Sequence, residues 1–169
     1  AASKAAAEDK VSLGDYGVFD SAVVEFGDGL IKAKAIDDRV GCAALLKLVE
    51  DEPPIDTWFC FTVQEEVGLR GAASMAYALD PGFAMVLEGT TAADLAEVEG
   101  GKAVCRVRGG VVLPFMDGAT IYDAELFELL RNACDKRGIR WQTKTRVAGG
   151  TDAGRIHKSR AGVKHQIGR

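Results

Sequence analysis

Three times along this chain a short apolar run ends in an acid, turns, and gives way to small polar residues or a helical pattern. That recurrence restricts the fold more than any other feature. Leu30 to Ile36 alternates apolar and lysine side chains and runs into Asp37-Asp38-Arg39, after which Val40, Ala43, Ala44, Leu48 and Val49 keep helical spacing until Asp51-Glu52-Pro53-Pro54. Thr57 to Val63 is a continuous apolar run closing on Gln64-Glu65-Glu66, followed through Gly68 by a helical stretch from Leu69 to Leu79 that Asp80-Pro81-Gly82 stops. Phe83 to Leu87 repeats the pattern and ends in Glu88 with Gly89-Thr90-Thr91 behind it. Strands alternating with helices predict an α/β fold, a mixed and mostly parallel sheet flanked by helices. Thr57 to Val63 reads as its central strand, covered on both faces.

In sheets of this kind the chemistry gathers just beyond the carboxyl ends of the strands, which is where Asp37, Glu65, Glu66 and Glu88 fall. Converging carboxylates repel one another and raise their own pKa values unless a cation neutralises them. In extended backbone Glu65 and Glu66 point to opposite sides, so one can hold a metal while its neighbour addresses a water or substrate. The bland alternative is a pair of solvated acids in a chain with 25 Asp and Glu.

The remaining segments are quieter. Ala1 to Lys10 reads as the tail of a helix, and a strand is expected around Ala22 to Phe26 before the Gly27-Asp28-Gly29 turn. Ala103 to Arg108 and Trp141 to Arg146 read as strands, and Val111 to Phe115 follows a glycine pair. Tyr122 to Arg137 is the clearest helix, with Leu126, Phe127, Leu130, Ala133 and Cys134 on a core-facing stripe, Asp123 near its start and Gly138 as its stop. Ala148 to Gly154 is a small-residue loop opening a short helix to about Ser159, and it permits close backbone approach by a ligand or by neighbouring chain.

Composition narrows the partners. With 169 residues, 47% hydrophobic and 27% charged, the chain suits one folded core. A net charge of -4 with no basic run argues against nucleic acid or an anionic membrane surface, and no apolar run is long enough to cross a bilayer. The start carries no signal-peptide pattern, so the cytoplasm is the expected location. Cys42, Cys60, Cys105 and Cys134 are scattered through apolar segments without a C-x-x-C pair, which predicts reduced core thiols rather than cysteine-bound zinc.

Taken together, Ala35 to Cys42, Thr62 to Gly71, Leu87 to Thr91 and Gly149 to Gly154 resemble, in order and spacing, the M42 family of metallo-aminopeptidases. The resemblance implies a zinc-peptidase-like fold binding two divalent ions, zinc or cobalt, acting on peptide substrates and assembling as a homo-oligomer. It implies Asp37 as the carboxylate bridging both metals, Asp38 as its partner across a cis peptide, Glu65 as the general base, and Glu66 and Glu88 as metal ligands. Glu88 stands where the family commonly has aspartate. Thr151 and Asp152 are carried over as site-supporting residues. The family's histidine ligands match neither His157 nor His165, so the resemblance also implies an interior stretch of the enzyme. Residues 1–29 then correspond to the end of an inserted β-rich domain and 30–169 to the catalytic domain. Two other readings stay open: a remnant that folds or associates without turnover, and a glycosidase that uses two acids and no metal.

Overall fold

The computed structural model describes residues 1–97 and 101–168, and it divides into two compact units, Ala1–Ile36 and Asp37–Arg169. In the first, helix α1 (Lys4–Glu8) is capped by Ser3, whose hydroxyl accepts from the Ala6 amide. Strands β1 (Val24–Phe26) and β2 (Leu30–Lys32) then form an antiparallel hairpin that sets Val24 opposite Lys32 and Phe26 opposite Leu30. Gly27 and Gly29 turn it with positive φ of 56° and 72°, values a side chain would resist. The strand expected to reach Ile36 stops at Lys32, because Ala35 adopts a left-handed φ of 54° and Ile36 already opens the next helix.

The second unit carries helix α2 (Ile36–Glu50) on from its first residue, followed by α3 (Arg70–Leu79), β3 (Phe83–Leu87), β4 (Val111–Val112), α4 (Ala124–Arg137), β5 (Trp141–Gln142), α5 (Ala153–Ile156) and β6 (Lys164–Gly168). β3 pairs in parallel with β6, Phe83 opposite Lys164 and Leu87 opposite Gly168, and β4 pairs in parallel with β5. The fold is thus mixed α/β with mostly parallel pairing, as expected. Among the described residues its strands form three two-stranded sheets rather than one. β6 was not anticipated, because the composition changes character at Lys164.

Two expected strands do not form among the described residues. Thr57 to Val63 has no strand partner, and Trp58, Phe61 and Val63 are 71%, 50% and 67% exposed. Apolar content makes a strand possible, but only a neighbouring backbone supplies the ladder that holds it. Ala103 to Arg108 buries Ala103, Val104 and Cys105, yet its backbone bonds are isolated ones, from the Val104 and Cys105 amides to the Ala92 carbonyl and from the Thr145 amide to the Val104 carbonyl. Trp141 to Arg146 pairs only through its first two residues.

The core sits where α3 and α5 meet β3. Ala72 and Ala76 on α3 pack with Ile156 and Val163, and Met75, Ala84 and Val86 close around them. Small residues on α3 allow that approach. α4 has both of its expected ends: the Asp123 carboxylate accepts the Glu125 and Leu126 amides, and Gly138 takes a left-handed φ of 66°. Its stripe is only partly core. Phe127 is buried against Phe115, with ring centroids 4.3 Å apart, and meets the edge of Trp141, whereas Leu126 and Leu130 border an open apolar groove with Phe83, Ala84 and Met85. Of the four free thiols only Cys105 is fully buried, so the expectation of four core cysteines holds for that one.

Candidate active site

Asp37 and Asp38 stand at the entrance of α2 with non-helical backbone angles and a cis peptide between them. Regular helix begins after Asp38, which acts as its cap: one carboxylate oxygen accepts the Gly41 amide at 3.0 Å. The same oxygen accepts the Gly89 amide at 3.1 Å, from the turn after β3. Asp38 therefore joins the turn carrying Glu88 to the turn carrying Asp37. The approach is tight at two glycines. A Cβ on Gly41 would fall 2.3 Å from the Asp38 carboxylate, and one on Gly89 would fall 3.1 Å from Asp37 Oδ1. Asp37 and Glu88 line one small cleft together with Gly89, Thr90, Thr91, Ala148, Gly149 and Gly150.

Glu65 comes to the same place from another direction. Gln64 with φ 61° and Leu69 with φ 58° bend the chain between Thr62 and α3, and the Gly68 and Leu69 amides close the bend onto the Glu65 carbonyl at 3.0 and 2.9 Å. The Glu65 side chain shares a hydrogen bond with Glu88. Burial raises its pKa above the ordinary glutamate value, the charges of Glu66, Asp152 and Asp37 raise it further, and the bond to Glu88 offsets part of the rise. Glu66 is exposed and does not line the cleft.

The glycine loop completes the surroundings. The Gly149 carbonyl accepts the Gly118 amide at 2.8 Å, and the Lys144 ammonium donates to the Ala148 carbonyl at 2.6 Å. Thr151 is fully buried, and its hydroxyl accepts the Ala153 amide at the start of α5. Asp152 is 7% exposed and accepts a short hydrogen bond from the Thr62 hydroxyl. Burial raises the Asp152 pKa, and the Thr62 bond works against the rise. Sequence reasoning missed three contributors: Thr62 as the partner of Asp152, and Gly41 and Gly89 as close-approach positions. A hydroxyl inside an apolar run, and a glycine in the first turn of a helix where alanine would be about 1 kcal/mol better, were the available signals.

Residues 1–167 match the M42 glutamyl aminopeptidase family. The chain belongs to the M42 family. It is 30% identical over 163 residues to a glutamyl aminopeptidase of Lactococcus lactis, covering 94% of this chain and 44% of that protein. Among solved structures it superposes on an aminopeptidase from the archaeon Desulfurococcus kamchatkensis with a TM-score of 0.86 at 34% identity, covering 98% of this chain and 48% of that one. It is also similar to a Pyrococcus horikoshii TET1 peptidase that can assemble into a tetrahedron or a large octahedral shell, with a TM-score of 0.70 at 26% identity over 98% of this chain and 49% of that one. The chain spans about half the length of these relatives.

The acids expected for an M42 metal centre are neighbours here, yet they do not make a ligand set on their own. Among the described residues no three His, Cys, Asp or Glu side chains gather closely enough to hold an ion. Asp37 and Glu88 share the cleft, while Glu66 does not line it. The His157 ring is engaged at Nδ1 with the Ala153 carbonyl of its own helix, at 2.7 Å. The side chain of His165 lies outside the described residues. Among the described residues the acidic donors lining the cleft, Asp37 and Glu88, offer hard oxygen ligands that repel one another.

Proposed function

We propose that this chain carries the catalytic carboxylates of a metal-dependent aminopeptidase, an enzyme that hydrolyses N-terminal residues from peptides. The observation that carries the reading is the contact of Glu65 with Glu88 beside Asp37, in a chain that belongs to the M42 family. Glu65 is the general base. Burial and neighbouring acids hold its proton affinity above that of an ordinary glutamate, which suits a group that takes a proton from water and returns it to a leaving amine. Asp37, Glu66 and Glu88 serve as carboxylate ligands, and Asp38, Thr151 and Asp152 support them. Two divalent ions, zinc or cobalt, would supply a polarised carbonyl and a more acidic water when bound. The cleft beside Asp37 and Glu88, walled by Gly149 and Gly150, suits an extended peptide end with its free amine towards the acids.

The surrounding assignments follow the same reading. Residues 1–29 correspond to the end of an inserted β-rich domain, and 30–169 to the catalytic domain. A homo-oligomer is favoured by the shell-forming relative. The charge of -4 favours neither nucleic acid nor membrane as partner, no helix among the described residues is long and apolar enough to cross a membrane, and the cytoplasm is the proposed site of action.

Glu65→Gln removes a base and no ligand. Turnover of leucyl- or glutamyl-p-nitroanilide in zinc or cobalt should fall by about 100-fold to 10,000-fold, with bound metal unchanged. Near-normal activity in that variant would remove Glu65 from the role. A second reading, a folded remnant without turnover, is favoured by the absence of a three-ligand group among the described residues. Activity that chelation abolishes and zinc or cobalt restores supports the peptidase; no turnover with any metal supports the remnant. The glycosidase reading fits poorly. Glu65 and Glu88 touch, whereas paired glycosidase carboxyls stand about 5 Å or more apart to flank a sugar.

A further inference from the structure

Asp152 stands at the N-cap of α5, yet its side chain accepts none of that helix's amides. An aspartate at this position ordinarily turns its carboxylate onto the second or third amide of its own helix. Here the buried Thr151 hydroxyl takes the Ala153 amide at 3.3 Å, and the Asp152 carboxylate reaches Thr62, 90 residues earlier in the chain. Its other oxygen, Oδ1, is buried with no hydrogen-bond partner among the described residues.

Thr62 lies three residues before Glu65, in the segment that has no strand partner. The described backbone bonds around it are local: the Gly71 amide to the Val63 carbonyl, Arg70 to Gln64, and Leu69 and Gly68 to Glu65. These fasten the bend to α3. They leave the approach to the bend untied. The Thr62–Asp152 bond is the described contact that fastens this approach to a part of the fold distant in sequence, and it sits where a bond to a buried carboxylate is strongest.

We propose that Thr62 and Asp152 form a positioning latch that holds the Glu65 carboxyl against Glu88. Neither residue touches substrate; both act through Glu65. The inference rests on the reading of Glu65 as the base, and adds what aims it. Without the Thr62 hydroxyl the segment moves freely, Glu65 meets Glu88 less often, and the chemical step slows while substrate binding is unaffected.

The test uses Thr62→Val, which keeps shape and removes the donor, and Thr62→Ser, which restores it. Hydrogen exchange of the Gly68 and Leu69 amides, both bonded to the Glu65 carbonyl, should speed up by about tenfold or more in Thr62→Val and recover in Thr62→Ser, with α4 amides unchanged. In the peptidase assay kcat should fall by about tenfold with KM unmoved, and Thr62→Ser should rescue it. Unchanged exchange at Gly68 and Leu69 in Thr62→Val overturns the latch, whatever the activity. Faster exchange spread equally through α4 overturns it too, because it shows general destabilisation. If the unmodified chain has no turnover with zinc or cobalt, the function proposed above fails, and the exchange readout alone decides the latch.

Discussion

Replacing Gly41 with alanine should destabilise this protein, against the usual trend for a glycine inside a helix. Glycine in a helix interior costs about 0.5–1 kcal/mol relative to alanine, so on an open face the change would stabilise by that amount. Gly41 is buried, and an added Cβ would meet the Asp38 carboxylate at 2.3 and 2.6 Å and the Leu87 carbonyl at 2.5 Å. Neither neighbour can retreat cheaply: the carboxylate is held by the Gly41 and Gly89 amides, and Leu87 is the last residue of β3. Overpacking costs about 1–3 kcal/mol and the lost cap about 1 kcal/mol more, which leaves a net loss of about 1–3 kcal/mol. For a chain of this length that is a fall of about 2–12 °C in melting temperature. Calorimetric melting of the two proteins at matched concentration and pH reads it. A melting temperature equal to or above that of the unsubstituted chain would show that Gly41 is not pinned between Asp38 and β3.

Glu65 and Asp152 both have raised pKa values, so the folded state binds their protons more tightly than the unfolded state does. Their stabilisation is complete below the unfolded values of about 4 and is lost as pH rises through the folded ones, so the stability of Asp152→Asn relative to the unsubstituted chain should climb across that window. A difference that does not change with pH would refute the assignment. Leu113 is 1% exposed, and Leu113→Ala should cost about 2–5 kcal/mol in a urea titration; under 1 kcal/mol would mean the site is not tightly packed. Trp58 is 71% exposed, whereas Trp141 is half-buried, with its indole N–H on Asp135 at 2.9 Å. Acrylamide should therefore quench Trp141→Phe more strongly than Trp58→Phe, and equal quenching would contradict the exposed course of Thr57 to Val63.

What the sequence disclosed was mostly local. The ends of α4 follow from Asp123 and Gly138, whose short-range hydrogen-bonding and backbone preferences act within one turn of helix, and α2 and α3 follow from spacing and from the prolines and glycines that stop them. The acids could be singled out because each closes an apolar run. Their meeting was legible only as a consequence of an assumed sheet, and it came about differently. Glu88 does follow a strand, but Asp37 follows a turn at Ala35 and Glu65 follows a bend at Gln64. The long-range ties around them are side-chain bonds, Asp38 to the Gly89 backbone and Thr62 to the Asp152 side chain. Such ties join residues 51 and 90 positions apart, and no local pattern encodes them.

Thr57 to Val63 shows why. Its composition is that of a buried strand, with aromatic and β-branched residues throughout, and each residue taken alone favours extended backbone. Burial, however, belongs to a pair of surfaces, and strand pairing belongs to two backbones, so neither can be read from one segment. In this fold the segment contributes through the Thr62 hydroxyl, while Trp58, Phe61 and Val63 remain largely exposed. That difference reaches the site directly. Asp37 and Glu88, beside the Asp38 clamp, share a cleft, whereas Glu66, at the end of this segment, does not line it. The two acids that share the cleft are thus the two whose turns the Asp38 carboxylate ties together, through the Gly41 and Gly89 amides.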